Sequence, residues 1–151
     1  MERKQTITYW AVVLALVCLL VPLLRESRYL QTFTAVDLES TVETATTAAS
    51  RYADPTYLDA GLFMYGPGAY LEPGSFSLTV MYSADGAGSY VEVYSPGWLN
   101  EDNTQGRVLA TMQLNPGQTQ ARADFSLDRG VDDLEFRVWY GGEGALTVNT
   151  L

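Results

Sequence analysis

The sequence predicts an all-β domain, an antiparallel β-sandwich, that follows one N-terminal transmembrane helix and a short stalk. Three observations favour this fold class. A charge-free apolar run lies near the start of the 151-residue chain. After it, short stretches of alternating apolar and polar residues recur with turn signals about every 8–14 residues. No gap between these stretches holds a helix of about ten residues, which argues against alternating strands and helices.

The apolar run comprises residues 7–24 and reads ITYWAVVLALVCLLVPLL. At 1.5 Å per residue its helix covers about 27 Å, close to the hydrocarbon thickness of a bilayer. A cleaved signal peptide would need small residues soon after the run, but Leu23-Leu24-Arg25-Glu26 offers none. A lipoprotein signal would place a small residue before Cys18, where Val17 stands. We therefore predict an uncleaved anchor that holds the protein in the membrane.

The charges that flank this run set its orientation. Arg3 and Lys4 favour a cytoplasmic N-terminus, whereas Arg25 and Arg28 pull the other way. The short tail before the run and the histidine-free, tyrosine-rich sequence after it favour the first orientation. We expect a single-pass protein of the cell membrane with residues 1–6 in the cytoplasm and the C-terminal domain extracytoplasmic.

The segment at residues 25–55 is predicted to be a stalk or linker. Apolar residues between Val36 and Ala49 have a spacing compatible with a helix, but the many threonines weaken one because their χ1 is restricted. A short helix and an irregular spacer are equally allowed. Asp54-Pro55 ends the segment, and residues 56–151 form the predicted sandwich domain.

Seven stretches within that domain have the composition and length of strands. They are residues 62–65, 75–82, 90–94, 107–114, 118–127, 134–140 and 145–151. Asp85-Gly86 lies between the second and third and is typical of a β-hairpin, so these two are expected to pair. Residues 95–106 are rich in Pro, Gly, Asn and Asp and are expected to form a loop.

A resemblance to known domains rests on two runs of sequence. LEPGSFSLTVMYSADG, and after a loop LDRGVDDLEFRVWYGGEGALTVNTL, resemble the layout of carbohydrate-binding jelly-roll modules. Both are also similar to extracytoplasmic sandwich domains that follow an N-terminal membrane span in membrane proteins of Gram-positive gut bacteria. The resemblance covers about residues 60–151 and is a pattern of strands and turns. It implies a jelly-roll-like fold more than a ligand.

Composition excludes several functions. Beyond residue 28 there are five basic and sixteen acidic residues, a balance that repels nucleic acid. The chain has no histidine, which removes Ser-His-Asp and Cys-His arrangements and histidine-based zinc sites. Its only cysteine, Cys18, lies in the apolar run, so no disulfide forms within the chain. No phosphate-binding glycine motif is present. We predict that the protein is not an enzyme.

One set of residues indicates a binding surface. In residues 134–140 the apolar side chains alternate with Glu135, Arg137 and Trp139, which share the opposite face. In residues 90–94 the outward set is Tyr90, Glu92 and Tyr94. Aromatic rings stack on the C–H side of sugars, and charged groups bond sugar hydroxyls. These six residues are predicted to line a glycan-binding face, with Trp98 from the loop as a wall. The alternative is that they pack on the stalk or another domain, or form cross-strand pairs.

No cofactor is predicted. Residues 100–104 and Asp132-Asp133 could supply oxygen ligands to a structural Ca²⁺, which jelly-roll modules often hold. The EF-hand pattern fails, however, because glutamate is missing at its twelfth position and Gly106 falls at its seventh. A solvated turn is the favoured interpretation.

Two functions are consistent with these features. The first is a membrane-anchored extracytoplasmic module that binds glycan or cell-wall polysaccharide. The second is a non-catalytic structural or interaction domain of a larger membrane protein with a protein partner, since the chain stops at Leu151 inside its last predicted strand. Glycan binding by the domain, and the coding sequence after Leu151, discriminate between them.

Overall fold

The structure is a computed structural model that describes residues 30–41 and 49–151. Within these two ranges, no helix has the length and apolarity needed to cross a membrane. The predicted anchor at residues 7–24 lies outside the described residues.

Ten strands and one short 3-10 helix make up the described part of the chain. The helix is Ala35–Asp37, and the strands are β1 (Glu39–Ser40), β2 (Arg51–Ala53), β3 (Gly61–Tyr65), β4 (Pro67–Leu71), β5 (Gly74–Ala84), β6 (Tyr90–Leu99), β7 (Gln105–Gln113), β8 (Gln120–Leu127), β9 (Val131–Tyr140) and β10 (Leu146–Thr150).

The strands form two antiparallel sheets. The first sheet has the order β1-β3-β9-β6-β7, and β4 pairs with β9 as well. The second sheet has the order β2-β10-β5-β8. Every ladder between these strands is antiparallel. This architecture confirms the predicted all-β class and is consistent with a sandwich.

The core follows from the alternation that the sequence shows. In β5 of the second sheet, Leu78, Val80 and Tyr82 are buried while the residues between them are exposed. In β9 of the first sheet, buried Leu134 and Val138 belong to the same apolar cluster. Because side chains alternate between the faces of a strand, each sheet turns one apolar face to the core and one more polar face outward.

The predicted hairpin at Asp85-Gly86 does not form. The strand before it, β5, belongs to the second sheet, and the strand after it, β6, belongs to the first. The turn therefore crosses between the sheets, and its Asp85 amide donates to the carbonyl of Ala145 at 2.9 Å. A local turn motif fixes the backbone bend, but burial of both apolar faces decides which strands pair.

Two other boundaries differ from the sequence prediction. Residues 67–71 form β4, where the glycines and prolines around them indicated only turns. Strand β6 continues to Leu99, so the predicted loop at residues 95–106 shrinks to the residues between Leu99 and Gln105. The ladder to β7 shifts register between Ser95 and Leu99, which accommodates Pro96 without a regular hydrogen bond.

The described residues of the segment predicted as a stalk are built into the domain. Ala35 and Ala53 are fully buried and Leu38 is 2% exposed. The Arg51 guanidinium donates to the carbonyls of Ala35 at 2.9 Å and Leu38 at 2.6 Å. Phe33 and Leu151 exchange backbone hydrogen bonds. One structural unit accordingly runs from residue 32 to residue 151.

Two buried tyrosines should make stability depend on alkaline pH. Tyr82 and Tyr140 are each 2% exposed and donate to the carbonyls of Asn115 and Gly144. Burial raises the pKa of both phenols, because a phenolate would lose its hydration. The folded pKa lies above the unfolded value of about 10, so their contribution is present below that pH and lost as pH rises through the folded pKa.

We expect both phenols to ionise only as the domain unfolds, so tyrosinate absorbance and circular dichroism should change together at high pH. Tyr82→Phe should make the loss of stability with pH shallower, at a cost of about 1 kcal/mol for the lost hydrogen bond. Full ionisation of all ten tyrosines with unchanged circular dichroism would contradict this assignment.

Candidate functional site

The structure brings six of the seven predicted site residues onto the outward side of the first sheet, here called the outer face. It comprises Tyr90, Glu92 and Tyr94 on β6 and Glu135, Arg137 and Trp139 on β9. These strands are neighbours, and their register pairs Tyr90 with Trp139, Glu92 with Arg137, and Tyr94 with Glu135. All six side chains are half-buried while their strand neighbours point into the core. The face is thus three rows of directly opposed residues.

The flanking strands widen these rows. Leu62 on β3 lies opposite Trp139, and Gln113 on β7 lies opposite Tyr90. Strands are spaced about 4.8 Å apart and alternate residues about 6.8 Å apart, so the Tyr90–Trp139 row extends roughly 14 Å across four strands and the three rows extend roughly 14 Å along β6 and β9. That area is large enough for two or three sugar rings. Sequence reasoning missed Leu62 and Gln113 because only the register between strands reveals them.

The row that contains Trp139 is held by two contacts. Its indole lies parallel to the Tyr90 ring, with centroids 5.8 Å apart and an interplanar angle of 10°. Its Nε1–H donates to Glu92 Oε2 at 3.0 Å. Burial, and then the charge of Glu92, raise the pKa of Tyr90, so its phenol is neutral at ordinary pH. The indole is therefore fixed in both position and orientation.

The other end of the face is organised by Arg137. Its Nε donates to Glu135 Oε2 at 2.8 Å, and its guanidinium carbon lies 3.5 Å from the centroid of the Tyr94 ring. A Cβ added to Gly106 would overlap the Tyr94 hydroxyl, and the φ of this residue is 92°, so glycine is favoured where the tyrosine reaches the edge of β7. The planar guanidinium is held between an acid and a ring, as its geometry favours.

These contacts realise the cross-strand pairs that were the alternative interpretation of this face. Pairing and binding are compatible, because all six paired side chains remain partly exposed to solvent above the sheet. The pairs also hold the side chains before any ligand arrives, and so reduce the entropy cost of binding. With two carboxylates and one guanidinium, the outer face is weakly acidic and suits an uncharged polyol better than an anion.

Trp98 lies apart from the other six. It is on β6, not in a loop, and is 6% exposed within the core. The guanidinium carbons of Arg129 and Arg107 lie 4.1 Å and 4.9 Å from the centroid of its ring. Its role as a wall of the glycan face stays a prediction. The structure places the Trp98 side chain in the core, covered by two arginines.

The described residues contain no group of three or more Asp, Glu or Cys side chains placed to hold a metal ion. Asp133 instead accepts hydrogen bonds from the Ser95 hydroxyl at 2.7 Å and from the Gly97 amide. In the turn after β6, Asp102 accepts hydrogen bonds from the hydroxyl and then the amide of Thr104, and these bonds lower the pKa of its carboxyl. The turn is closed by its own side chains.

Comparison with known proteins adds little to this geometry. No protein family model and no curated protein matches the chain. Among solved structures, the chain is similar to the Clostridium thermocellum N-terminal endo-1,4-beta-D-xylanase 10B, its CBM22-1-GH10 modules complexed with xylohexaose. The identity is 12%, the match covers 80% of this chain and 23% of that one, and the TM-score is 0.36. The chain thus spans less than a quarter of that structure, and a likeness at this TM-score carries no argument.

Proposed function

We propose that the domain is a non-catalytic module that binds polysaccharide through the outer face, and that residues 7–24 anchor it to the membrane with the domain extracytoplasmic. One observation carries the proposal: Trp139 is held in place by stacking on Tyr90 and by a hydrogen bond to Glu92 of the next row. A solvent-facing sheet surface rarely requires a tryptophan and two tyrosines on two neighbouring strands. Such a surface offers apolar rings to sugar C–H groups and charged groups to sugar hydroxyls.

The arrangement favours binding over chemistry. Hydrolysis of a glycosidic bond needs an acid and a second carboxylate on opposite sides of the scissile bond. On the outer face Glu92 is hydrogen-bonded to an indole and Glu135 is paired with Arg137. Both carboxylates thereby hold neighbouring side chains in place, and the proposed role of the face is recognition of a neutral glycan chain.

Replacing Trp139 should test the face directly. We expect the full chain, kept in a mild detergent, to be retarded in gels that contain a neutral polysaccharide from a plant or bacterial cell-wall panel. Trp139→Ala should weaken this binding about 30-fold, the effect of losing a central aromatic anchor. Adding Tyr94→Ala should abolish the remaining retardation.

A matched control separates recognition from general loss of aromatic residues. Tyr57 is 51% exposed and lies after β2, outside the first sheet. Tyr57→Ala should leave retardation unchanged, and near-ultraviolet circular dichroism should confirm that each variant is folded. Glu92→Gln keeps the shape of the row and should weaken binding less than Trp139→Ala. If the parent chain is retarded by no polysaccharide of the panel, or if Trp139→Ala binds as the parent does, the proposal fails.

A further inference from the structure

Two arginines and a tryptophan form a separate cluster next to the outer face. Arg107 lies near the start of β7, opposite Ser95 of β6. It directly follows Gly106, which is adjacent to the Tyr94 side chain of the outer face. Arg129 lies in the turn before β9. Their guanidinium carbons are at most 9.0 Å apart, the sum of their distances to the Trp98 ring centroid. The two positive charges therefore lie close together at the ring of Trp98.

These two cations differ from the other arginines of the domain. Arg122 and Arg137 pair with Asp124 and Glu135, and Arg51 is bound by two carbonyls. Within residues 30–41 and 49–151, neither Arg107 nor Arg129 has a carboxylate partner within 4.0 Å.

The hydrogen bonds of the two cluster arginines are equally sparse. Arg129 donates once, from Nη2 to the carbonyl of Leu99 at 3.1 Å, and Arg107 donates to no acceptor among the described residues. A guanidinium has five N–H donors, so most of the donors of this pair remain for a ligand.

Both guanidinium groups line one cavity of about 470 Å³. This volume is within the range of small-ligand sites, about 300–1,000 Å³. The remaining polar lining residues are Asn100, Glu101 and Asp128. Their amide and carboxylate oxygens accept hydrogen bonds from hydroxyl groups. The cavity thus combines two adjacent cations with several hydroxyl acceptors, in a domain that is otherwise strongly acidic.

We propose that this cavity binds the carboxylate of an acidic sugar, a uronic acid unit of the polysaccharide whose neutral part lies on the outer face. A carboxylate carbon lies about 4 Å from the carbon of each guanidinium that it pairs with, and both guanidinium groups line the same cavity, so one carboxylate bound there reaches both. The cation–π contacts with Trp98 hold both guanidinium groups at the cavity before binding. Glu101 and Asp128 accept hydrogen bonds from the hydroxyls of the same sugar ring.

This inference rests on the proposed function and names the class of glycan. The probe is tri-galacturonate, compared with its methyl ester, titrated calorimetrically into the full chain in mild detergent. The ester keeps every hydroxyl and removes the charges. We expect the acid to bind about tenfold more tightly than the ester, and the difference to shrink at high salt because the cluster is exposed.

The variants locate that preference. Arg107→Gln removes a guanidinium without removing a hydrogen bond, and it should abolish the preference for the acid, as should Arg129→Gln. Arg122→Gln makes the same charge change on β8, in the second sheet, and should leave the preference intact. Arg107→Lys should retain part of it, since a lysine keeps the charge but loses the planar fork.

The outcomes separate this inference from the proposed function. Equal binding of acid and ester, no binding of either, or a preference that survives Arg107→Gln would overturn the acidic-sugar site. Retardation by neutral polysaccharide that Trp139→Ala removes would leave the outer face standing in that case. Conversely, a preference for the acid that is lost in Arg107→Gln, together with unchanged binding by Trp139→Ala, would support the cavity and overturn the outer face.

Discussion

A fragment that begins at residue 56 should fail to fold cooperatively, whereas a fragment of residues 30–151 should fold. The shorter fragment loses β1 and β2 and the buried side chains of Ala35, Leu38 and Ala53. Burial of a leucine stabilises by about 1.5–3 kcal/mol and each net hydrogen bond by about 1 kcal/mol. The total loss is at least about 4 kcal/mol, against a typical net stability of about 5–15 kcal/mol. Urea unfolding followed by circular dichroism measures the difference.

A single substitution distinguishes packing from chain length in this experiment. Leu38 is 2% exposed, and Leu38→Ala in the full chain should cost about 2–5 kcal/mol. Glu39→Ala changes the next residue, whose side chain is exposed and accepts a hydrogen bond from Tyr65. It should cost no more than about 1 kcal/mol. If both fragments unfold at the same urea concentration, residues 30–55 are a stalk after all.

The fold class could be predicted from the sequence because alternation and turns are local signals. In residues 134–140 the apolar side chains occupy every second position, and the structure buries them. The same period placed Glu135, Arg137 and Trp139 on the outward side. Partnership between strands is not a local property, so the hairpin predicted at Asp85-Gly86 is instead a crossing between sheets.

For the candidate site, too, the direction of each side chain could be predicted from the sequence, whereas the pairing of strands could not. Alternation within β6 and β9 predicted which side chains point outward, and the adjacency of these two strands then brought Trp139 onto Tyr90. Pro96 and Gly97 are turn residues and predict a loop around Trp98. The chain absorbs them in a register shift, and the tryptophan is buried beneath two arginines. Arg107 and Arg129 are too far apart in sequence for any local pattern to join them.

The buried start of the domain was missed for a physical reason. Residues 33–41 contain four apolar side chains, but polar and acidic residues interrupt them with the regular period of neither a strand nor a long helix, so the segment resembles a spacer. Ala35 and Leu38 are nevertheless buried, because a 3-10 turn places them on one side and β1 and β2 pair with the sheet edges. A short edge strand leaves little periodicity to detect.

Gly144→Ala should strongly destabilise the domain. Gly144 has a φ of 65°, and an added Cβ would lie 2.8 Å from the carbonyl carbon of Asp85 and 2.9 Å from the Cα of Gly86. The neighbours are backbone atoms that cannot rotate away. We expect a loss of about 3 kcal/mol in the free energy of unfolding, of which about 1 kcal/mol is the left-handed conformation and the rest is overlap.

Gly117→Ala isolates the first of these contributions. Gly117 has a φ of 76°, but an added Cβ would meet no atom within 4 Å. This variant should therefore lose only about 1 kcal/mol. The difference of about 2 kcal/mol measures how tightly the turn after β5 packs on the turn before β10, where Asp85 donates to Ala145 and Tyr140 donates to Gly144. Equal losses in the two variants would mean that the turns separate at little cost, and that the crossing between the sheets is held by the strands alone.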